Sequence, residues 1–102
     1  MDLNQALIAQ IIDVVKTRKK VNKIVLFGSR ATNNAKRTSD IDLAILGKDL
    51  SDTDVSHIRY DLEEKVKTLL KFDVVHFDTL TKEGFKNDIL KEGIVIYESK
   101  TH

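Results

Sequence analysis

The stretch that decides the fold is residues 23–46, KIVLFGSRATNNAKRTSDIDLAIL. It contains two short apolar runs, residues 23–27 and 40–46, separated by a polar segment that begins at Gly28-Ser29. Short runs rich in aliphatic and β-branched residues, bounded by glycine and polar clusters, are typical of buried strands. The segment therefore predicts two strands of one sheet, joined by a loop that starts with a sharp turn at Gly28.

The flanking sequence predicts three helices and two more strands. Apolar residues recur at helical spacing over residues 3–18, with Asp2 as a plausible N-cap, and over a helix that Ser51 or Thr53 caps and that reaches Leu70. A third helix is predicted over residues 80–92, and strands over residues 72–77 and 94–97. We expect inward-facing residues in the second and third helices at Val55, Ile58, Leu62, Val66, Leu69, Phe85, Ile89 and Leu90. This order predicts a central sheet of about four strands with helices packed on it.

Length and composition predict one soluble domain spanning residues 1–102. The chain has 41% hydrophobic and 32% charged residues and no cysteine, which excludes disulfide frameworks and thiolate zinc sites. No apolar run approaches the roughly 20 residues of a membrane span, and the start lacks the basic residues of a secretory signal. A net charge of +1 makes nucleic acid an unlikely direct ligand. We expect a cytoplasmic protein without a membrane partner.

Asp40 and Asp42 are the first candidate metal ligands. Two residues apart in a strand, they share one face, with Cα atoms roughly 6.6 Å apart, while Ile41, Leu43 and Ile45 face the core. Two carboxylates at this spacing suit a hard cation such as Mg²⁺, and without a cation they would repel each other. A salt-bridged surface pair is the alternative interpretation of this pattern taken alone.

Gly28 and Ser29 form a candidate phosphate site. They follow a buried strand directly, where backbone N–H groups at a turn bind anions. Arg30 could neutralise phosphate charge beside this turn or be a solvated loop residue, and for Lys36 and Arg37 we favour the solvated loop. A glycine-serine pair is common by itself. Its combination with two acids ten residues later, each after or within a strand, is much more specific.

The string Gly28-Ser29-x10-Asp40-x-Asp42 resembles the signature of the DNA polymerase β-like nucleotidyltransferase superfamily, and FGSRATNNAKRTSDIDLAI resembles its minimal nucleotidyltransferase (MNT) branch. The resemblance implies an α+β fold with a mixed central sheet. It also implies a third carboxylate on a later strand, a role that we assign to Asp73 rather than to Asp78, which has the opposite strand parity. Many relatives have another acid where this chain has His76, which we interpret as a partly buried or edge histidine.

The family resemblance also implies a reaction and a partner. Relatives of this type transfer a nucleoside monophosphate, here AMP from ATP, with two Mg²⁺ ions held by Asp40, Asp42 and Asp73, while Gly28 and Ser29 hold the phosphates. Such domains are often antitoxins whose partner is a HEPN-domain toxin, which implies a toxin tyrosine as the acceptor. Two alternatives stay open: a non-catalytic antitoxin that covers the toxin, and an enzyme acting on a small molecule or an RNA end in a partner-supplied pocket.

Overall fold

The fold is described from a computed structural model, which covers residues 1–99. Three α-helices and four strands follow one another along this part of the chain, with two 3₁₀ turns between them. The elements in chain order are α1 Gln5–Val15, β1 Lys23–Phe27, the turn Gly28–Arg30, β2 Ile41–Leu46, α2 Asp52–Lys65, β3 Phe72–His76, the turn Phe77–Thr79, α3 Glu83–Glu92 and β4 Ile94–Glu98.

The four strands form one mixed sheet in the order β3-β2-β1-β4. β1 lies antiparallel to both β2 and β4, whereas β2 and β3 run parallel, joined by the crossover helix α2. The C-terminal end of β1 therefore lies at the same end of the sheet as the N-terminal ends of β2 and β3. The predicted α+β class and mixed sheet are confirmed.

Aliphatic side chains fill the first face of the sheet, which α1 and α2 cover. Ile41, Leu43 and Ile45 of β2 are completely buried there. Outside this core, Arg18 follows α1 and donates a 2.7 Å hydrogen bond to Asp61 of α2. The ion pair links the basic run at residues 16–20 to the neighbouring helix.

The second face of the sheet has a smaller core. Val25, Ala44, Phe77 and Ile89 form it, with Ile89 contributed by α3. Towards the other end of this face the side chains become polar and more exposed, beginning at Asp42. This arrangement leaves that end of the sheet open.

Several element boundaries differ from the prediction. α1 begins after Asn4, whose side chain accepts a hydrogen bond from the Leu7 N–H, so the predicted cap at Asp2 was wrong. Asp2 instead accepts a hydrogen bond from the Ala35 N–H. The capping box at Ser51 and Asp54 confirms the predicted start of α2, but the helix ends at Lys65 rather than Leu70.

For three residues, the prediction of a buried, inward-facing side chain was wrong. Leu69 lies beyond the end of α2 and is fully exposed, because Val66 has an extended backbone that turns the chain towards β3. In α3, Leu90 is 58% and Phe85 37% exposed, and only Ile89 is buried. A short helix resting on half of a sheet face buries a narrow stripe. Within residues 1–99, no helix is both long and apolar enough to cross a bilayer.

Candidate functional site

Strand register places Asp42 and Asp73 side by side. They are paired directly across the parallel strands β2 and β3, so their side chains project from the same face of the sheet. On the other side of Asp42, its antiparallel partner is Phe27, the last residue of β1. The carboxylates thus meet at the open end of the second face, beside the turn that starts at Gly28.

The electrostatics of Asp42 reflect this crowding. Burial and the neighbouring negative charges of Asp73 and Asp40, together with a hydrogen bond to Asp73, raise the pKa of Asp42 to about 6. The positive charge of Arg30 acts in the opposite direction and is a smaller influence. The raised pKa means that the ionised form of Asp42 is destabilised here. A cation bound next to Asp42 would stabilise that ionised form.

Asp40 lies one residue before β2 and is exposed, as is Asp73. Across residues 1–99, no three acidic, histidine or cysteine side chains are already arranged around a point that could hold a metal ion. Mg²⁺ commonly takes only one or two carboxylates and completes its shell with water and phosphate oxygens. Hard oxygen donors and uncompensated negative charge fit that ion.

Gly28 packs directly against Asp42. Its backbone has φ +72°, and a Cβ atom at this position would collide with Oδ2 of Asp42. Only glycine combines that conformation with so close an approach. The turn therefore holds Gly28 next to the Asp42 carboxylate, and the partly buried Ser29 follows it in the turn.

Arg30 is buried, and its guanidinium donates to backbone carbonyls. Nε and one terminal nitrogen bind the carbonyl of Ser39 at 3.0 and 2.7 Å, and the other terminal nitrogen binds that of Asp2 at 2.8 Å. These bonds fix the backbone immediately before Asp40. From the sequence, Arg30 was expected to be either a phosphate contact or a solvated loop residue. Its burial shows that the solvated alternative was wrong, and its anchoring of the loop is revealed only by the fold.

Asp78 and His76 lie away from this cluster. The carboxylate of Asp78 accepts a 2.8 Å hydrogen bond from the Gly47 N–H, beyond the C-terminal end of β2. His76 is buried, and its Nδ1 lies 2.7 Å from Oδ1 of Asp52, at the start of α2. The structure therefore brings Asp73, and not Asp78, to Asp42.

The family model for polymerase beta nucleotidyltransferases matches residues 9–102. The chain belongs to this nucleotidyltransferase family. The protein is therefore an enzyme of the nucleotidyltransferase class.

A sequence relative and one solved structure agree with that assignment, and a second solved structure shares the fold. This nucleotidyltransferase is 33% identical over 91 residues to a candidate protein adenylyltransferase of Methanocaldococcus jannaschii, covering 80% of this chain and 84% of the relative. It resembles the structure of a candidate minimal nucleotidyltransferase with a TM-score of 0.70 and 25% identity, covering 92% of this chain and 95% of that one.

The second structure is a toxin–antitoxin crystallised with AMP-PNP, which has the same fold. The TM-score is 0.74 at 22% identity, over 91% of this chain and 74% of that one. Two variants of a toxin–antitoxin named MntA-HpeT also match, with TM-scores of 0.74 and 0.72 at 21% and 22% identity. Each of these two matches covers 96% of this chain and 75% of the matched chain.

Proposed function

We propose that this protein is a Mg²⁺-dependent nucleotidyltransferase that moves AMP from ATP to a hydroxyl of a partner protein, and that it acts as an antitoxin in the cytoplasm. The observation that carries the proposal is the direct pairing of Asp42 with Asp73 beside Gly28. A pair of carboxylates next to a glycine turn offers ligands for a cation and N–H groups for phosphate in one place.

Asp40, Asp42 and Asp73 would hold Mg²⁺, with two ions expected. Held there, the metal would supply charge neutralisation for the triphosphate and would lower the pKa of the attacking hydroxyl. The protein contributes position: Gly28 and Ser29 would orient the β- and γ-phosphates through the turn. Arg30 would contribute indirectly, by holding the backbone before Asp40 and by the positive charge that it places near Asp42.

The transfer forms one bond and breaks one bond. The hydroxyl oxygen of the acceptor attacks the α-phosphorus of ATP, and the bond from that phosphorus to the β-phosphate oxygen breaks, so that pyrophosphate leaves. Asp73 would accept the hydroxyl proton, because it is exposed on the side of Asp42 away from the glycine turn. Positioning and charge stabilisation account for most of the rate enhancement in reactions of this kind.

Openness of the site favours a large acceptor. Asp40 and Asp73 are both exposed, and Ile89 is the residue of α3 that is buried in the smaller core on this sheet face. The name of the M. jannaschii relative indicates protein adenylylation, and the toxin–antitoxin structures indicate a toxin as partner. We therefore propose a tyrosine of a HEPN-domain toxin as the acceptor.

The test combines the protein with a HEPN toxin encoded beside its gene, ATP and Mg²⁺, and measures the intact mass of the toxin. One or more additions of AMP on a tyrosine are expected. No added nucleotide on a toxin that the protein binds would overturn the proposal.

Asp42→Asn distinguishes an enzyme from a protein that neutralises the toxin by covering it. We expect this variant to bind the toxin as the wild type does, but to modify it at least about a thousandfold more slowly, since several kcal/mol of charge stabilisation are lost. Asp78→Asn is the matched control and should modify the toxin normally. Full neutralisation by Asp42→Asn would instead assign the protein to the covering type.

A further inference from the structure

An aromatic pair lies on the second face of the sheet, where Phe27 packs against the smaller core and is the strand partner of Asp42. Phe27 ends β1 and Phe85 lies in the first turns of α3, and their ring centroids are 5.8 Å apart at an angle of 76°. Phe85 is 37% exposed, whereas Ile89, one turn later in the same helix, is almost completely buried. The helix thus buries Ile89 and leaves an edge-to-face ring pair partly open to solvent.

The position of this ring pair relative to the aspartates follows from strand register. Asp73, Asp42 and Phe27 occupy neighbouring positions on β3, β2 and β1, on the same face of the sheet. Directly paired residues have Cβ atoms about 5 Å apart. Phe27 is therefore immediately beside Asp42, on the side away from Asp73, and Gly28 follows it in the chain.

We propose that the Phe27–Phe85 ring pair is the surface on which the nucleobase of the nucleotide packs. The inference rests on the proposed function, which places the triphosphate at Gly28 and Ser29 and the acceptor hydroxyl at Asp73. The ring pair is on the triphosphate side of Asp42. A flat apolar group attached to the triphosphate through its ribose would meet Phe85 there.

The alternative occupant of the ring pair is the aromatic ring of an acceptor tyrosine. The geometry disfavours it, because Asp42 lies between Phe27 and the Asp73 carboxylate that would take the acceptor proton. Since every base has a π-face, stacking of this type tolerates different bases. The ring pair would therefore strengthen binding of all four nucleoside triphosphates without selecting adenine.

The experiment measures binding of ATP and of inorganic tripolyphosphate, each with Mg²⁺ and without the partner protein, by isothermal titration calorimetry. Tripolyphosphate lacks the base and so isolates the phosphate contribution. We expect Phe85→Ala to weaken ATP binding about tenfold and to leave tripolyphosphate binding unchanged. Phe85→Tyr should retain ATP affinity, because it keeps the ring.

Leu90→Ala is the matched control, since Leu90 is another exposed apolar residue of α3, at 58% exposure. It should bind ATP like the wild type. Thermal melting of each variant shows whether the fold is retained. If Phe85→Ala unfolds, the comparison of ATP with tripolyphosphate on the wild type still tests the inference.

Four results would overturn the inference. Equal ATP affinity for the wild type and Phe85→Ala would do so, as would an equal loss for ATP and tripolyphosphate. Wild-type affinity that is the same for ATP and tripolyphosphate would remove the base contribution but leave the proposed function intact. Absence of binding of either ligand to the wild type would contradict both.

Discussion

The side chains of residues 41–46 in β2 alternate between two faces of the sheet, which differ in burial and polarity. Ile41, Leu43 and Ile45 point into the face covered by α1 and α2, and none of them is exposed. Asp42 points to the other face, where α3 leaves one end open. One strand thus carries a continuous hydrophobic core and a cluster of negative charge on its two sides.

The difference shows how a small domain separates stability from chemistry. Burial of aliphatic side chains on the covered face stabilises the fold by roughly 25 cal/mol for each Å² of apolar surface removed from water. On the open face, the raised pKa of Asp42 indicates that ionisation of Asp42 opposes folding. Because both sets of side chains belong to the same strand, the burial on the covered face offsets the cost of holding the acids on the open face.

Replacement of two neighbouring residues of β2 by asparagine gives the largest expected contrast in unfolding free energy. Leu43→Asn places an amide in the completely buried face and should lower the free energy of unfolding by about 4 kcal/mol or more, since it leaves a cavity and an unpaired polar group. Asp42→Asn should not lower it. Urea unfolding followed by circular dichroism measures both, and a small loss for Leu43→Asn would contradict the contrast between the faces.

Two glycines give the next largest contrast. Gly28→Ala should cost about 2 to 3 kcal/mol of unfolding free energy, because φ +72° disfavours a side chain and the new methyl group would displace Asp42. Gly84 is the matched control. It lies in α3 with open space around it, so Gly84→Ala should stabilise the protein by about 0.5 to 1 kcal/mol. Equal effects of the two substitutions would show that Gly28 is not special.

Arg30→Lys tests the anchoring of the loop before Asp40. Lysine keeps the charge but cannot reach the carbonyls of Ser39 and Asp2 together, so we expect a loss of about 2 kcal/mol in thermal or urea unfolding. Arg37→Lys, at an exposed loop position, is the control and should change stability little. Unchanged stability of Arg30→Lys would mean that charge alone holds the loop.

The smallest effect is the pH dependence of Asp42. Because its pKa rises from 3.8 to about 6 in the folded state, the folded protein binds more protons than the unfolded chain between these values. Its contribution to stability therefore falls as pH rises from about 4 to 6. Asp42→Asn should abolish that fall and become more stable than the wild type at pH 7, by about 1 kcal/mol or less because Asp42 is partly exposed.

Thermal melting of both proteins at pH 4, 5, 6 and 7 without metal checks this prediction. The difference in Tm between Asp42→Asn and the wild type should grow with pH. A difference that is constant with pH, or that favours the wild type at pH 7, would contradict it.

The sheet could be predicted from the sequence because its strands are short apolar runs with clear ends. The helix ends could not be predicted as well. Leu69 and Leu70 continue the helical spacing of α2, but Val66 leaves the helix to turn the chain towards β3. Phe85 and Leu90 were expected to be buried, but α3 buries only a narrow stripe at Ile89, which leaves Leu90 mostly exposed and Phe85 partly exposed against Phe27.

The site could be predicted in part. Asp40 and Asp42 share one short segment, and strand parity favoured Asp73 over Asp78. The pairing of Asp42 with Asp73 depends on the register of parallel strands, and the bonds of Arg30 depend on the path of the loop. Neither is encoded in local spacing. The roles of these residues in binding and catalysis stay predictions.

Binding of Mn²⁺ in place of Mg²⁺, in the presence of ATP, tests the central claim most directly. Electron paramagnetic resonance titration would compare the wild type with Asp73→Asn and Asp78→Asn. We predict that Asp73→Asn loses most of the bound Mn²⁺ while Asp78→Asn binds like the wild type. Wild-type binding by Asp73→Asn, or an equal loss in Asp78→Asn, would contradict a cation site built on Asp42 and Asp73.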